Sequence, residues 1–220
     1  MKTLRVLLRR TLAIALLSIP AEVLANDDKK IALTFDDGPL PGATEALLDE
    51  LDRLQIKATF FPVGSEMEKF PEQTKAIIDA GHSVGNHTYS HANLAELATP
   101  QAKKEIAGAT RILRELGYED PLMFRPPFGL LPQPLERELT REGTPVARWD
   151  LLPEAKTDMD DPQAVADYVA DNAFPGAIVL LHPMYGQRRQ VLEALPLISE
   201  QLRDRGYEFA TLSEMLLDAD

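Results

Sequence analysis

Hydrophobic and polar positions along this chain follow two alternating rhythms. Short apolar runs at Ile31–Phe35, Ala58–Val63, Ser83–Asn86, Leu122–Phe124, Pro145–Leu151, Ile178–Leu181 and Glu208–Thr211 read as strands. Several lack polar alternation, as expected for strands covered on both faces of a parallel sheet. Between them, Ala43–Gln55, Glu72–Ala80, Gln101–Leu116, Pro134–Glu142, Pro162–Asn172 and Arg188–Arg205 have helical spacing. Gly81 and Gly117 stand where helices would end, and Thr99-Pro100 offers an N-cap followed by proline at the first helical position. About seven strand-then-helix units imply an α/β fold on a parallel sheet, open or closed into a barrel.

The first 25 residues keep neither rhythm. Lys2, Arg5, Arg9 and Arg10 precede an apolar run from Leu12 to Ile19, and Val23-Leu24-Ala25 follows with small residues suited to cleavage. This order is that of an export signal, and its apolar core is too short for a permanent membrane helix. The expectation is a signal peptide over 1–25, a single domain over 26–220, and a periplasmic or secreted product.

Charge narrows the partners. Of 23 basic and 35 acidic residues, four and one fall in the first 25, so residues 26–220 carry 19 against 34, a formal charge of −15. Such a surface disfavours nucleic acid and anionic lipid, both of which need cationic patches. The chain has no cysteine, so disulfides and thiolate chemistry are excluded, and any metal must be held by histidine and carboxylate.

The residues able to do chemistry fall at the carboxyl ends of the expected strands, where barrels and open α/β sheets place their sites. Asp36 and Asp37 follow the first strand, His87 and His91 the third, Arg125 the fourth and His182 the sixth; Asp150 lies near the end of the fifth. Adjacent carboxylates point in different directions, so one can ligate a metal while the other faces water. Gly38-Pro39 then turns the chain away. Histidines at i and i+4 share one face of a helical turn, so His87 and His91 could reach a single ion. The chain has only four histidines, which sets this pair apart; His82 pairs with none of the others and reads as structural or exposed. Two histidines and a carboxylate form a recurrent catalytic zinc set that keeps a position open for water.

Arg125-Pro126-Pro127-Phe128-Gly129 is a rigid turn in which the prolines lack N–H groups while Phe128 and Gly129 keep theirs. Such an N–H can face an oxyanion, and the arginine can pair with a nearby carboxylate. His182, at a strand end, suits a general acid.

Thr34–Pro39, His87–His91, Arg125–Gly129 and Leu180-Leu181-His182 resemble, in order and spacing, the successive motifs of the polysaccharide deacetylases of carbohydrate esterase family 4. The resemblance implies a distorted (β/α) barrel of seven or eight strands. It implies Asp37, His87 and His91 as ligands of a divalent metal, usually zinc with cobalt also serving. Asp36 would be the general base, Arg125 would hold it ionised and oriented, and His182 would be the general acid. The backbone N–H of Phe128, where the family more often has tyrosine, would face the oxyanion. Leu180 would line the pocket for the acetyl methyl group, and Trp149 is a further candidate pocket residue.

One departure stands out. The family usually carries an Asp-Trp pair in a fourth motif, whose aspartate orients the acid histidine, and here Ala155-Lys156 falls in its place. Asp150, Glu154 and Asp158 are the available replacements, with Asp150 favoured because it lies closest to the strand end. The implied activity is removal of N-acetyl groups from a GlcNAc-containing glycan, chitooligosaccharide or peptidoglycan. An O-deacetylase acting on a substrate such as acetylated xylan and a glycan-binding protein without turnover are the alternatives.

Overall fold

The structure is a computed structural model that describes residues 29–185 and 188–217; the expected signal peptide lies outside the described residues. Its centre is β1 (Lys30–Asp36), which runs parallel to β2 (Thr59–Phe61) on one side and to β4 (Ile178–Leu181) on the other. β3 (Ser83–Val84) lies beyond β2, and β5 (Glu208–Phe209) pairs with the start of β1. Single parallel bridges, Asn86 to Phe124, Phe124 to Val146 and Leu151 to Val179, carry the sheet from β3 round to β4 and close it into an irregular barrel. The fourth and fifth expected strands are thus bridges rather than ladders. Pro121, Pro126, Pro127 and Pro145 flank them, and proline cannot donate to a ladder.

Eight α-helices surround the barrel among the described residues: α1 (Ala43–Arg53), α2 (Gly64–Lys69), α3 (Pro71–Asp79), α4 (Thr99–Glu115), α5 (Gln133–Arg141), α6 (Pro162–Asn172), α7 (Arg188–Asp204) and α8 (Leu212–Leu217). The six long ones match the expected segments to within two residues. α4 begins at the expected cap itself: its N-cap is Ala98, one residue earlier, whose N–H donates to Gln101 Oε1 at 3.2 Å, so Thr99 is already helical. α2 and α8 are six residues each, too short to display a 3.6-residue period. No helix among the described residues is long and apolar enough to cross a membrane.

Alternation along β1 divides the interior. Ile31, Leu33 and Phe35 pack outward into the main core with Leu47 and Leu51 of α1, Val165 and Val169 of α6, and Leu195 and Ile198 of α7. Ala32 belongs to a second cluster with Phe61, Met123, Ala147 and Leu212. The long side chain of Arg125, fully buried, lies against this second cluster, over the Phe61 ring and bonded to the Ala147 carbonyl.

His82 is buried beneath this barrel, where its Nδ1 accepts the Ala58 N–H at 3.2 Å and its ring packs on Phe60. Burial, aided by the Lys57 charge, pushes its pKa from 6.5 down to about 4. The unfolded chain therefore binds the proton first, and His82 costs stability progressively as pH falls from 6.5 to about 4. That gap corresponds to about 3 kcal/mol. His82→Asn keeps an acceptor for Ala58 without a proton to gain. Its melting temperature should therefore fall less than that of the parent between pH 7 and 4.5; parallel curves would refute the role.

Candidate active site

The chain leaves β1 through an abrupt turn. Asp37 and Gly38 both have left-handed backbone, with φ of 71° and 69°, and the turn is tied to β2 by Asp37 N–H to the Phe61 carbonyl and Val63 N–H to the Gly38 carbonyl. Asp36 and Asp37 therefore separate: Asp36 is buried while Asp37 stays half-exposed.

The histidine segment is not the helical turn that its spacing suggested. Thr88 and His91 have φ of 66° and 57°, incompatible with a right-handed helix. The cause is α2. The first N–H groups of a helix have no partner within it, and here Gly64 and Ser65 donate theirs to the carbonyls of Thr88 and Tyr89 at 2.9 and 2.7 Å. Gly64 permits this approach, since a Cβ there would lie 2.8 Å from Tyr89 Cα. The loop still brings the two imidazoles together, with ring centroids 5.0 Å apart. One ligand atom from each of Asp37, His87 and His91 lies within 4.8 Å of the others. His87 Nδ1 sits 2.7 Å from the Arg125 carbonyl, which can only accept, so Nδ1 carries the proton and Nε2 keeps its lone pair. Burial, the strongest influence, lowers the His87 pKa against the opposing pull of Asp36, which favours the neutral ligand form. These donors fit a divalent cation of the zinc type.

Arg125 organises the rest. Its guanidinium donates to Asp36 Oδ1 and Thr34 Oγ1 at 2.7 and 2.8 Å, and to the Ala147 and Arg148 carbonyls. It also stacks on Phe61, 4.1 Å from the ring centroid. Asp36 Oδ1 is thereby occupied, while Oδ2 faces His87 Nε2 at 3.6 Å. Removing one partner of so buried a pair leaves an uncompensated charge, typically a loss of about 3–5 kcal/mol.

The Pro127–Gly129 turn carries Phe128 at φ 59°, with its ring exposed and edge-on to His91 at 4.8 Å. Gly129 and Leu130 use their N–H groups on the Pro126 and Pro127 carbonyls. With the prolines lacking theirs, Phe128 holds the N–H not used by the turn. Of five non-glycine residues with positive φ among those described, Asp37, Thr88, His91 and Phe128 lie here, and the fifth, Gln55, ends α1. Such strain gathers where surrounding contacts over-determine the backbone, as at functional sites.

His182 follows β4 and is gripped twice by Glu154, from the turn Pro153–Ala155. Its backbone N–H donates to Glu154 Oε1 at 2.7 Å, and its Nδ1 lies 2.6 Å from Oε2. Nε2 is left as the free ring nitrogen. Burial is the largest single influence on its pKa and acts downward. The Glu154 hydrogen bond and charge, joined by the Asp36 and Asp37 charges, outweigh it and hold the pKa above 6.5.

The expectation for Asp150 is corrected. Its Oδ2 accepts the Ile178 N–H at 2.9 Å, at the start of β4, whereas His182 lies beyond the strand's other end. Four residues of strand separate the two by roughly 13 Å. Asp158 instead accepts the Asp160 N–H within its own turn. Trp149 packs against Gly129 and lies 5.9 Å from the Arg125 guanidinium, and Leu180 is buried in register with Thr34. Tyr185, half-exposed and close enough to feel the Asp37 charge, is a rim residue that the motif spacing missed; its place three residues after His182 was the available clue.

A parallel β/α barrel with two histidines and a carboxylate converging at its strand ends has the layout of a metallohydrolase. Residues 24–146 match the polysaccharide deacetylase family, and the chain belongs to it. It is 34% identical to the peptidoglycan-N-acetylmuramic acid deacetylase of Bacillus subtilis over 90% of its own length, though it spans only 41% of that relative. It is 30% identical to the chitooligosaccharide deacetylase of a Bradyrhizobium strain, covering 85% of this chain and 90% of the other. Among solved structures, the peptidoglycan N-acetylglucosamine deacetylase Bc1960 superimposes with a TM-score of 0.80 at 34% identity, covering 86% of this chain and 88% of that one.

Proposed function

We propose that this chain is an exported hydrolase that removes N-acetyl groups from a GlcNAc-containing glycan, either peptidoglycan or chitooligosaccharide. The observation that carries the reading is the convergence of Asp37, His87 and His91 beside an Asp36 clamped by Arg125 and a His182 clamped by Glu154. The names of the relatives support an N-acetylated glycan, and the basic-then-apolar start of the chain supports export to the periplasm or beyond.

Amide hydrolysis needs an activated water, stabilisation of the oxyanion and a proton for the leaving amine. A divalent metal, most simply zinc, held by Asp37, His87 and His91 would supply Lewis acidity and lower the pKa of a bound water. Asp36 Oδ2 takes the proton of the attacking water, while Arg125 on Oδ1 keeps the carboxylate ionised and aimed. The Phe128 N–H donates to the carbonyl oxygen as negative charge builds there. His182 delivers the proton to the departing amine through Nε2, with Glu154 fixing the ring from the Nδ1 side. Leu180 and Trp149 line the acetyl pocket.

Residues 26–220, purified and supplied with zinc, should release acetate from N-acetylglucosamine oligomers or peptidoglycan fragments. Acetylated xylan is the comparison that separates amide from ester specificity. Glycan binding with no acetate from any substrate would refute the reading.

A further inference from the structure

We infer that Arg148 is a positioning residue for the Phe128 N–H, tying the oxyanion turn to the arginine that holds the base. The inference rests on the oxyanion role proposed for Phe128. A left-handed phenylalanine in an exposed turn is strained, and such a conformation persists only where its neighbours hold it. Two hydrogen bonds within the turn, Gly129 N–H to Pro126 and Leu130 N–H to Pro127, close it but do not place it relative to the site.

Placement comes from Arg148-Trp149. The Trp149 ring lies so close beneath Gly129 that a Cβ there would meet Cη2 at 3.0 Å. The Arg148 guanidinium donates to the Gly129 carbonyl at 2.8 Å through one nitrogen and to Glu136 Oε1 of α5 at 3.0 Å through the other. The Arg148 main-chain carbonyl accepts from Arg125 at 3.1 Å. One residue thus holds the turn with its side chain and the base-orienting Arg125 with its backbone. Arg148 and Glu136 are both substantially exposed, and an ion pair of that kind contributes little to stability. The charge-assisted bond to Gly129 is where its fork geometry matters. Oxyanion donors act over a narrow range, and misplacement by about 1 Å can cost about 10²-fold in rate.

The test compares Arg148→Met, Arg148→Lys and the parent, after Asp36→Asn has shown that acetate release by the parent depends on the base. Arg148→Met should fold normally and lose kcat about tenfold with KM within about twofold, because an oxyanion donor acts on the transition state rather than on ground-state binding. Arg148→Lys, which can restore one bond to the Gly129 carbonyl, should recover part of the loss. Amide exchange at Gly129 and Leu130 should quicken in Arg148→Met whatever the substrate. An unchanged kcat, a loss confined to KM, or unaltered exchange would overturn the inference. A parent inactive on every glycan, with exchange altered as expected, would instead count against the proposed activity.

Discussion

Asp36→Asn should lower kcat for acetate release about 10³-fold, within the range that a positioned general base contributes. KM should stay within about threefold, because the amide keeps the shape of the carboxylate and its bond from Arg125. Metal content should be unchanged, since the convergent ligand set uses Asp37 rather than Asp36. The substitution does leave the buried Arg125 charge without its anionic partner, supported only by neutral acceptors: the new amide oxygen, Thr34 Oγ1 and the Ala147 and Arg148 carbonyls. A lower melting temperature is therefore expected, and the kinetics belong well below it. Steady-state assay with metal analysis decides the matter; turnover within tenfold of the parent would show that another group takes the proton.

Glu154→Gln should have the second largest effect, a loss in kcat of about 10²-fold with a changed pH profile. A general acid must be protonated, so with His182 in the proposed role the rate should fall as pH rises through its pKa. Burial lowers that pKa, and Glu154 is the main influence holding it above 6.5. Without the carboxylate the burial effect prevails, the pKa drops, and the alkaline limb of kcat moves to lower pH. The glutamine can still accept from Nδ1, so the ring stays aimed while its charge support is lost. Substituting Asp150 in the same way should leave the profile where it was, because its carboxylate engages the Ile178 N–H. A profile that shifts in the Asp150 variant and stays still in Glu154→Gln would reverse the assignment.

Much of the barrel was legible because buried parallel strands are apolar throughout and long helices show their period. β4 and α6 match the expected segments residue for residue. What escaped was set by contacts rather than by rhythm. The short helix α2 carries no periodic signal, yet its free N–H groups bend the His87–His91 loop out of a helical path. Spacing therefore picked out two histidines that the fold does bring together, while misjudging their backbone. The choice of Asp150 failed for a related reason. Nearness to a strand end along the chain says nothing about which end of the neighbouring strand a carboxylate meets, and Asp150 meets the beginning of β4. Glu154 reaches His182 because a short turn folds back over the end of β4, a path that no local pattern announces. The pair Asp36 and Arg125, 89 residues apart, was readable only through the family's motif order.

The measurement that bears most directly on the assignment is acetate release by metal-stripped protein during zinc titration, run beside His87→Ala and His91→Ala. Stripped parent should be inactive and should recover full rate as zinc approaches one equivalent, while neither histidine variant recovers at that concentration. Undiminished release from stripped protein, or recovery of both variants alongside the parent, would contradict a catalytic metal at Asp37, His87 and His91.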